Sequence, residues 1–192
     1  MSIRKKVLAI SGSTRQNSSN HKLINAIAAL AAEQIEITTF GSIATLPHFN
    51  PDDNNEQVDE EVESFRQLLR NADGVIICTP EYAHGVPGSL KNAIDWTVST
   101  SEFSHKPTVL ITASTDGRFG HTALMETLKV IEAKNIEQLQ MVIQFIRTKV
   151  SEESKITDEQ TLQEVKNIIE KFVETMNEKE ESGNINSSPA CC

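Results

Sequence analysis

Aromatic residues are scarce, 5% of the chain with a single Trp and a single Tyr, so the stacking platforms of single-stranded nucleic-acid binders are missing. Positive charge is also short: 18 Lys and Arg face 27 Asp and Glu, a formal net charge of −9. A field of that sign repels polyanions, so nucleic acid is not expected as a partner. The three cysteines, Cys78, Cys191 and Cys192, offer neither a disulfide framework nor metal-ligand spacing. A reducing cytoplasmic setting is therefore expected, where the sequons at Asn17 and Asn186 carry no glycan. No apolar run approaches the roughly 20 residues that a membrane helix needs. The run after Arg4-Lys5-Lys6 breaks at Ser11, too short for a secretory segment, and no membrane partner is expected. A small phosphorylated ligand is not excluded, because donors act within a few ångströms while distant surface charge is screened at about 10 Å.

What is present fits one α/β domain over residues 1–177, with a polar tail at 178–192, EKEESGNINSSPACC, expected to be disordered. The paired terminal cysteines have no C-a-a-X box or polybasic run beside them to support lipidation. The domain is organised around VLAISGSTRQNSSN, Val7 to Asn20. Its first four residues are apolar without alternation, as in a parallel strand buried on both faces. The polar stretch that follows carries hydroxyls at Ser11, Ser13, Ser18 and Ser19, amides at Asn17 and Asn20, and the guanidinium of Arg15. Gly12 is expected to let the backbone approach a ligand closely. From Asn20 on, Leu23, Ile24, Ile27, Ala28 and Ala31 recur at helical spacing, so the loop aims unpaired N–H groups and a helix dipole at an anion. A Walker loop is excluded, since after the strand no Lys occurs before Lys22, and so is a three-glycine dinucleotide fingerprint, since the segment has Gly12 alone. The same residues would also serve as a plain serine-rich helix cap.

The pattern then alternates. A strand at Ile35–Phe40 leads into a turn-rich loop over 41–57, in which Pro47, His48 and Phe49 either touch a ligand or partner or simply connect. A helix carries Val58, Val62, Phe65, Leu68 and Leu69. Further continuous apolar strands at Val75–Cys78 and Thr108–Ala113 each run into a polar glycine-containing loop. The helices beside them are expected at Ser89–Trp96 and Thr122–Lys134, a last strand at Leu139–Phe145, and a final amphipathic helix at Ile156–Met176. Five parallel strands separated by helices match a flavodoxin-like three-layer sandwich of strand order 2-1-3-4-5, with its ligand at the switch beside the first and third strands. One flat phosphorylated ligand spanning the loops after strands one, three and four has the shape of FMN.

Two segments carry a family resemblance: GSTRQNSSN at Gly12–Asn20 and PEYAHGVPGSLKNAIDW at Pro80–Trp96. They resemble the signature segments of the NADPH-dependent FMN reductases, over Val7 to about Phe145. The resemblance implies that Ser13, Arg15, Asn17, Ser18, Ser19 and Asn20 hold the FMN phosphate. Pro80, Glu81, Tyr82, Ala83, His84 and Gly85 would hold the ring and ribityl chain, and the loop from Ser114 to Gly120, with Thr115 and Gly117, would close on the pyrimidine edge. It further implies a homodimer or homotetramer passing electrons from NADPH through FMN to a small-molecule acceptor such as a flavin, quinone, azo dye or metal oxyanion. No protein acid or base and no metal is implied. Two positions depart from the pattern: Ala83 stands where many members carry Asn, and His121 where a second glycine often follows Gly120. The alternatives are a flavodoxin-like electron carrier without nicotinamide turnover and a flavin-free regulator on the same fold. Glu81 and Asp95 are at turn and surface positions rather than acting as an acid–base pair, His84 is a candidate for substrate contact, and Cys78 reads as core.

Overall fold

The computed structural model describes residues 4–53 and 58–178, so the tail expected at 178–192 lies, apart from Glu178, outside the described residues. The strands are β1 Lys5–Ser11, β2 Ile35–Thr39, β3 Gly74–Thr79, β4 Thr108–Ser114 and β5 Gln140–Gln144. They form one sheet of order β2-β1-β3-β4-β5 in which every neighbouring pair is parallel. The helices are α1 Ser19–Ala31, α2 Glu60–Asn71, α3 Gly88–Val98, α4 Arg118–Val130 and α5 Glu159–Asn177. This is the expected flavodoxin-like three-layer sandwich.

The layers follow from side-chain alternation along strands that are buried on both faces. Val7, Ala9, Ile76, Cys78, Val109, Ile111 and Ala113 pack with Leu23, Ile24 and Ile27 of α1 and Val165, Ile169 and Phe172 of α5. Leu8, Ile10, Val75, Ile77 and Leu110 face the other way, against Phe65 and Leu69 of α2, Leu90 and Trp96 of α3, and Leu124 and Leu128 of α4. Because β1 sits between β2 and β3, successive crossovers leave it on opposite faces, and a crevice opens above the β1/β3 junction.

Two helix starts differ from the sequence expectation. Helix α4 begins at Arg118 rather than Thr122, because Gly117 takes φ +100° and turns the chain directly into the helix. Helix α5 begins at Glu159 rather than Ile156, where the Asp158 side chain accepts the Thr161 N–H at 2.9 Å and caps it. Ile156 instead bridges to Val150. Pro47 and Phe49 clamp the long loop onto α3. The Pro47 carbonyl accepts from Asn92 Nδ2 (2.9 Å) and Trp96 Nε1 (2.8 Å), Phe49 N donates to Asn92 Oδ1 (2.7 Å), and the Phe49 and Trp96 rings meet edge to face. No described helix is long and apolar enough to cross a membrane.

Candidate functional site

A cavity of about 380 Å³ opens above the carboxyl ends of β1, β3, β4 and β5. Five of its lining residues, Ser13, Arg15, Ser18, Ser19 and Asn20, come from the β1–α1 connection and the first turn of α1. The loop holds its own shape. Ser11 Oγ accepts the Ser13 N–H (3.2 Å), Ser13 Oγ accepts the Arg15 N–H (3.3 Å), and Ser18 caps α1 by accepting the Asn20 N–H (3.2 Å). These bonds fix the chain leading into a thirteen-residue helix whose first residues, Ser19 and Asn20, line the cavity. The Arg15 side chain has no hydrogen-bond or ion-pair partner among the described residues.

Asn20 has a different local role from the rest. Its Nδ2 donates to the Ala113 carbonyl (3.2 Å) and its Oδ1 accepts from Cys78 Sγ (3.2 Å). It thus ties the start of α1 to β3 and β4, with both polar ends of the amide engaged. Complete burial pushes the Cys78 thiol well above its ordinary pKa, so it stays a neutral thiol. Gly12 likewise differs from expectation. A Cβ there would lie 2.7 Å from Thr79 Cβ and 3.0 Å from Leu90 Cδ2, so the missing side chain lets β1 close on β3 rather than on a ligand.

The opposite wall is built from the loops after β3 and β4. Pro80, Glu81 and Tyr82 line the cavity, as do Ala113, Ser114 and Thr115. Tyr82 to Gly85 forms a tight hairpin, with Tyr82 N to Gly85 O and Gly85 N to Tyr82 O both 2.9 Å. Ala83 and His84 at its tip have φ +49° and +59°, the left-handed pair of a type I′ turn. This hairpin is fused to α4. Glu81 Oε2 accepts the Gly120 N–H at 2.6 Å, a Cβ on Gly120 would lie 2.8 Å from the Gly85 carbonyl oxygen, and the His84 ring stacks on Phe119 at 4.2 Å. The Glu81 carboxylate is therefore held as an acceptor, and Asp95 pairs with Lys91 at 2.6 Å. Asn17, Ala83, His84, Gly85 and Gly117 lie off the cavity wall: Asn17 is exposed ahead of the helix cap, and the other four shape the hairpin and the α4 start.

His121 explains how a residue larger than glycine is accommodated after Gly120. It is buried, with Nδ1 2.9 Å from Thr112 Oγ1 and Nε2 2.7 Å from Gln140 Oε1. Burial lowers its pKa, partly opposed by the Gln140 bond, and the neutral Nε2–H tautomer satisfies both contacts. It fastens α4 to β4 and β5. In the β4–α4 loop, Arg118 chelates Asp116 through Nε (2.7 Å) and Nη2 (3.0 Å), and Gln144 Nε2 donates to the same carboxylate at 3.0 Å. The Arg118 hydrogen bond holds the Asp116 carboxyl below its usual pKa. Among the described residues no group of three His, Cys, Asp or Glu is placed to hold a metal ion.

The segment after β5, Phe145 to Thr148, also lines the cavity and was not anticipated. The available signal was topological: in an all-parallel sheet the carboxyl end of β5 must share the edge of β1, β3 and β4.

An open parallel sheet of order 2-1-3-4-5, with a hydroxyl-rich helix start and an unpaired guanidinium in the crevice at its switch point, defines a flavodoxin-like protein built for a flat ligand with a phosphate tail. The comparisons give the particular family. The model for NADPH-dependent FMN reductase matches residues 5–148, and the chain belongs to that family. It is 32% identical over 170 residues to a quinone reductase of Escherichia coli, covering 84% of this chain and 90% of that protein. It is 32% identical over 160 residues to an NAD(P)H-dependent FMN reductase of Pseudomonas aeruginosa, covering 80% and 85%. Among solved structures, the flavoenzyme NAD(P)H:(acceptor) oxidoreductase FerB of Paracoccus denitrificans superposes with a TM-score of 0.78 at 27% identity, over 90% of this chain and 97% of that one. The protein is thus an NAD(P)H-dependent flavin oxidoreductase with FMN as cofactor, and the residues present fit that group: an anion cradle at one end of the cavity and a fused backbone platform at the other.

Proposed function

We propose that this enzyme moves electrons from NADPH, by way of FMN seated in the β1–β3–β4 crevice, to a small flat acceptor of the quinone, flavin or azo class. The observation that carries the reading is the meeting of the unpaired Arg15 guanidinium with the capped N-terminus of α1 in one cavity. Ser13, Arg15, Ser18 and Ser19 bind the phosphate, and Pro80, Glu81, Tyr82, Ser114 and Thr115 flank the ribityl chain and ring. Asn17 and Gly117 support these contacts from outside the wall, and Ala83, His84 and Gly85 set the hairpin that carries Tyr82. FMN, when bound, supplies the hydride-accepting and electron-donating chemistry. The chain's own contribution is orientation: the Glu81–Gly120 and His84–Phe119 contacts hold the hairpin against α4 and so fix the wall that flanks the ring.

The rim supports self-association. Tyr82 and Phe145, which line the cavity, and Phe119, stacked on His84 of the Tyr82 hairpin, are each more than half exposed, an apolar surface that a second copy would cover in a homodimer or homotetramer. A cytoplasmic site accords with the lone described cysteine being a buried free thiol. Anaerobic absorbance spectra of the FMN-loaded protein test the reading. Bleaching of the flavin band by NADPH, faster than by NADH, followed by recovery on adding a benzoquinone, is the expected result. A flavin that stays oxidised with both nicotinamides would overturn it.

A further inference from the structure

The cavity is lined by a second arginine, Arg147, on the segment after β5. Arg4, Arg66, Arg70 and Arg118 each donate to a carbonyl or carboxylate. The two arginines whose side chains have no such partner among the described residues, Arg15 and Arg147, are the two that line this cavity. In a chain with a net charge of −9, two free guanidiniums in one concavity mark a place for an anion.

The corner that carries Arg147 is held by its own contacts. Phe145, though not glycine, takes φ +54°, a strained left-handed conformation that reverses the chain at the end of β5. Its N–H reaches the Thr115 carbonyl (3.4 Å) and its own carbonyl accepts from Thr148 Oγ1 (2.9 Å), while buried Ile146 anchors the turn below. Farther on, Glu152 meets Lys22 of α1 at 2.6 Å. The segment therefore runs from β5 across to the first turns of α1, with Arg147 between the two.

We propose that Arg147 is a second phosphate-binding residue, closing on the FMN phosphate from the side opposite Arg15. This rests on the cofactor reading above. A phosphate monoester carries about −1.5 to −2 charges at pH 7 and three acceptor oxygens, which two guanidinium forks match better than one. Thr148 does not share the task as a donor, since its hydroxyl proton is committed to Phe145.

The test is equilibrium binding of FMN and of riboflavin, the same ring without the phosphate, to the wild type, Arg147→Ala, Arg147→Lys and Arg15→Ala. Losing one charged hydrogen-bond partner should weaken FMN about tenfold to a hundredfold in Arg147→Ala, leave riboflavin unchanged, and be partly restored in Arg147→Lys. FMN affinity within about twofold of wild type, with Arg15→Ala still impaired, would overturn this assignment and leave the cradle standing. Equal weakening of FMN and riboflavin would also overturn it, by making Arg147 structural. Failure of the wild type to bind FMN would remove the cofactor reading, and this inference with it.

Discussion

Replacing Gly12 by Ala tests whether the cradle is positioned by the closeness of β1 and β3. The new Cβ would lie 2.7 Å from Thr79 Cβ, whereas carbon atoms pack comfortably at about 3.5–4.0 Å, a shortfall near 1 Å. Thr79 cannot swing aside easily: it is fully buried, β-branched, and its Oγ1 donates to the Pro80 carbonyl at 3.0 Å. Leu90, 3.0 Å from the new methyl, is equally buried. The strand ends must part, straining the Gly12 N to Cys78 O bond of 2.8 Å. Overpacking of this kind costs about 1–3 kcal/mol. For a chain of this length that lowers the unfolding midpoint by about 2–12 °C. FMN affinity should fall with it, since Ser13 and Arg15 follow directly. Adding Thr79→Ala removes the hydroxyl but leaves the Cβ, so the double variant should recover only part of the loss. Thermal unfolding by circular dichroism and FMN titration read both effects. A Gly12→Ala midpoint within about 1 °C of wild type would refute the packing argument.

Three further expectations follow from neighbouring contacts. Asn20→Ala removes the donor to the buried Ala113 carbonyl and the acceptor of the Cys78 thiol, and should cost about 1–3 kcal/mol in urea unfolding; a smaller loss would mean the brace is replaced by water. Ala83→Asn should stabilise the chain by about 0.5–1 kcal/mol, because Asn tolerates the left-handed conformation that Ala83 holds at φ +49°, and an unchanged urea midpoint would count against strain there. His121 has a native pKa below its ordinary 6.5, so between those values the unfolded chain binds more protons. Its contribution to stability is present above about pH 6.5 and is lost as pH falls below it; His121→Gln should flatten that part of the stability–pH curve, and an equally steep curve would exclude His121 as its source.

Much of the fold was legible because parallel strands buried on both faces must be continuously apolar. The runs at Val7, Val75 and Thr108 announce themselves, and each ends in polar residues at one sheet edge. Helix boundaries were less legible where they depend on one backbone angle or one cap, as at Gly117 and Asp158. The loop of hydroxyls and a guanidinium before a helical repeat stood out, but its composition suits a plain helix cap as well as an anion cradle, and Ser18 does cap α1. The Phe145–Thr148 wall did not, since FIRT has no composition that sets it apart.

Local chemistry, then, determined the strand–loop–helix units, the hydroxyl- and amide-rich composition of Ser13 to Asn20, and the family to which they belong. Which donors remain free was decided only by tertiary packing, because a side chain's availability depends on what the rest of the chain brings to it. Asn20 is claimed by Ala113 and Cys78, Glu81 by Gly120, and Arg118 by Asp116, while Arg15 and Arg147, far apart in sequence, are left facing one cavity.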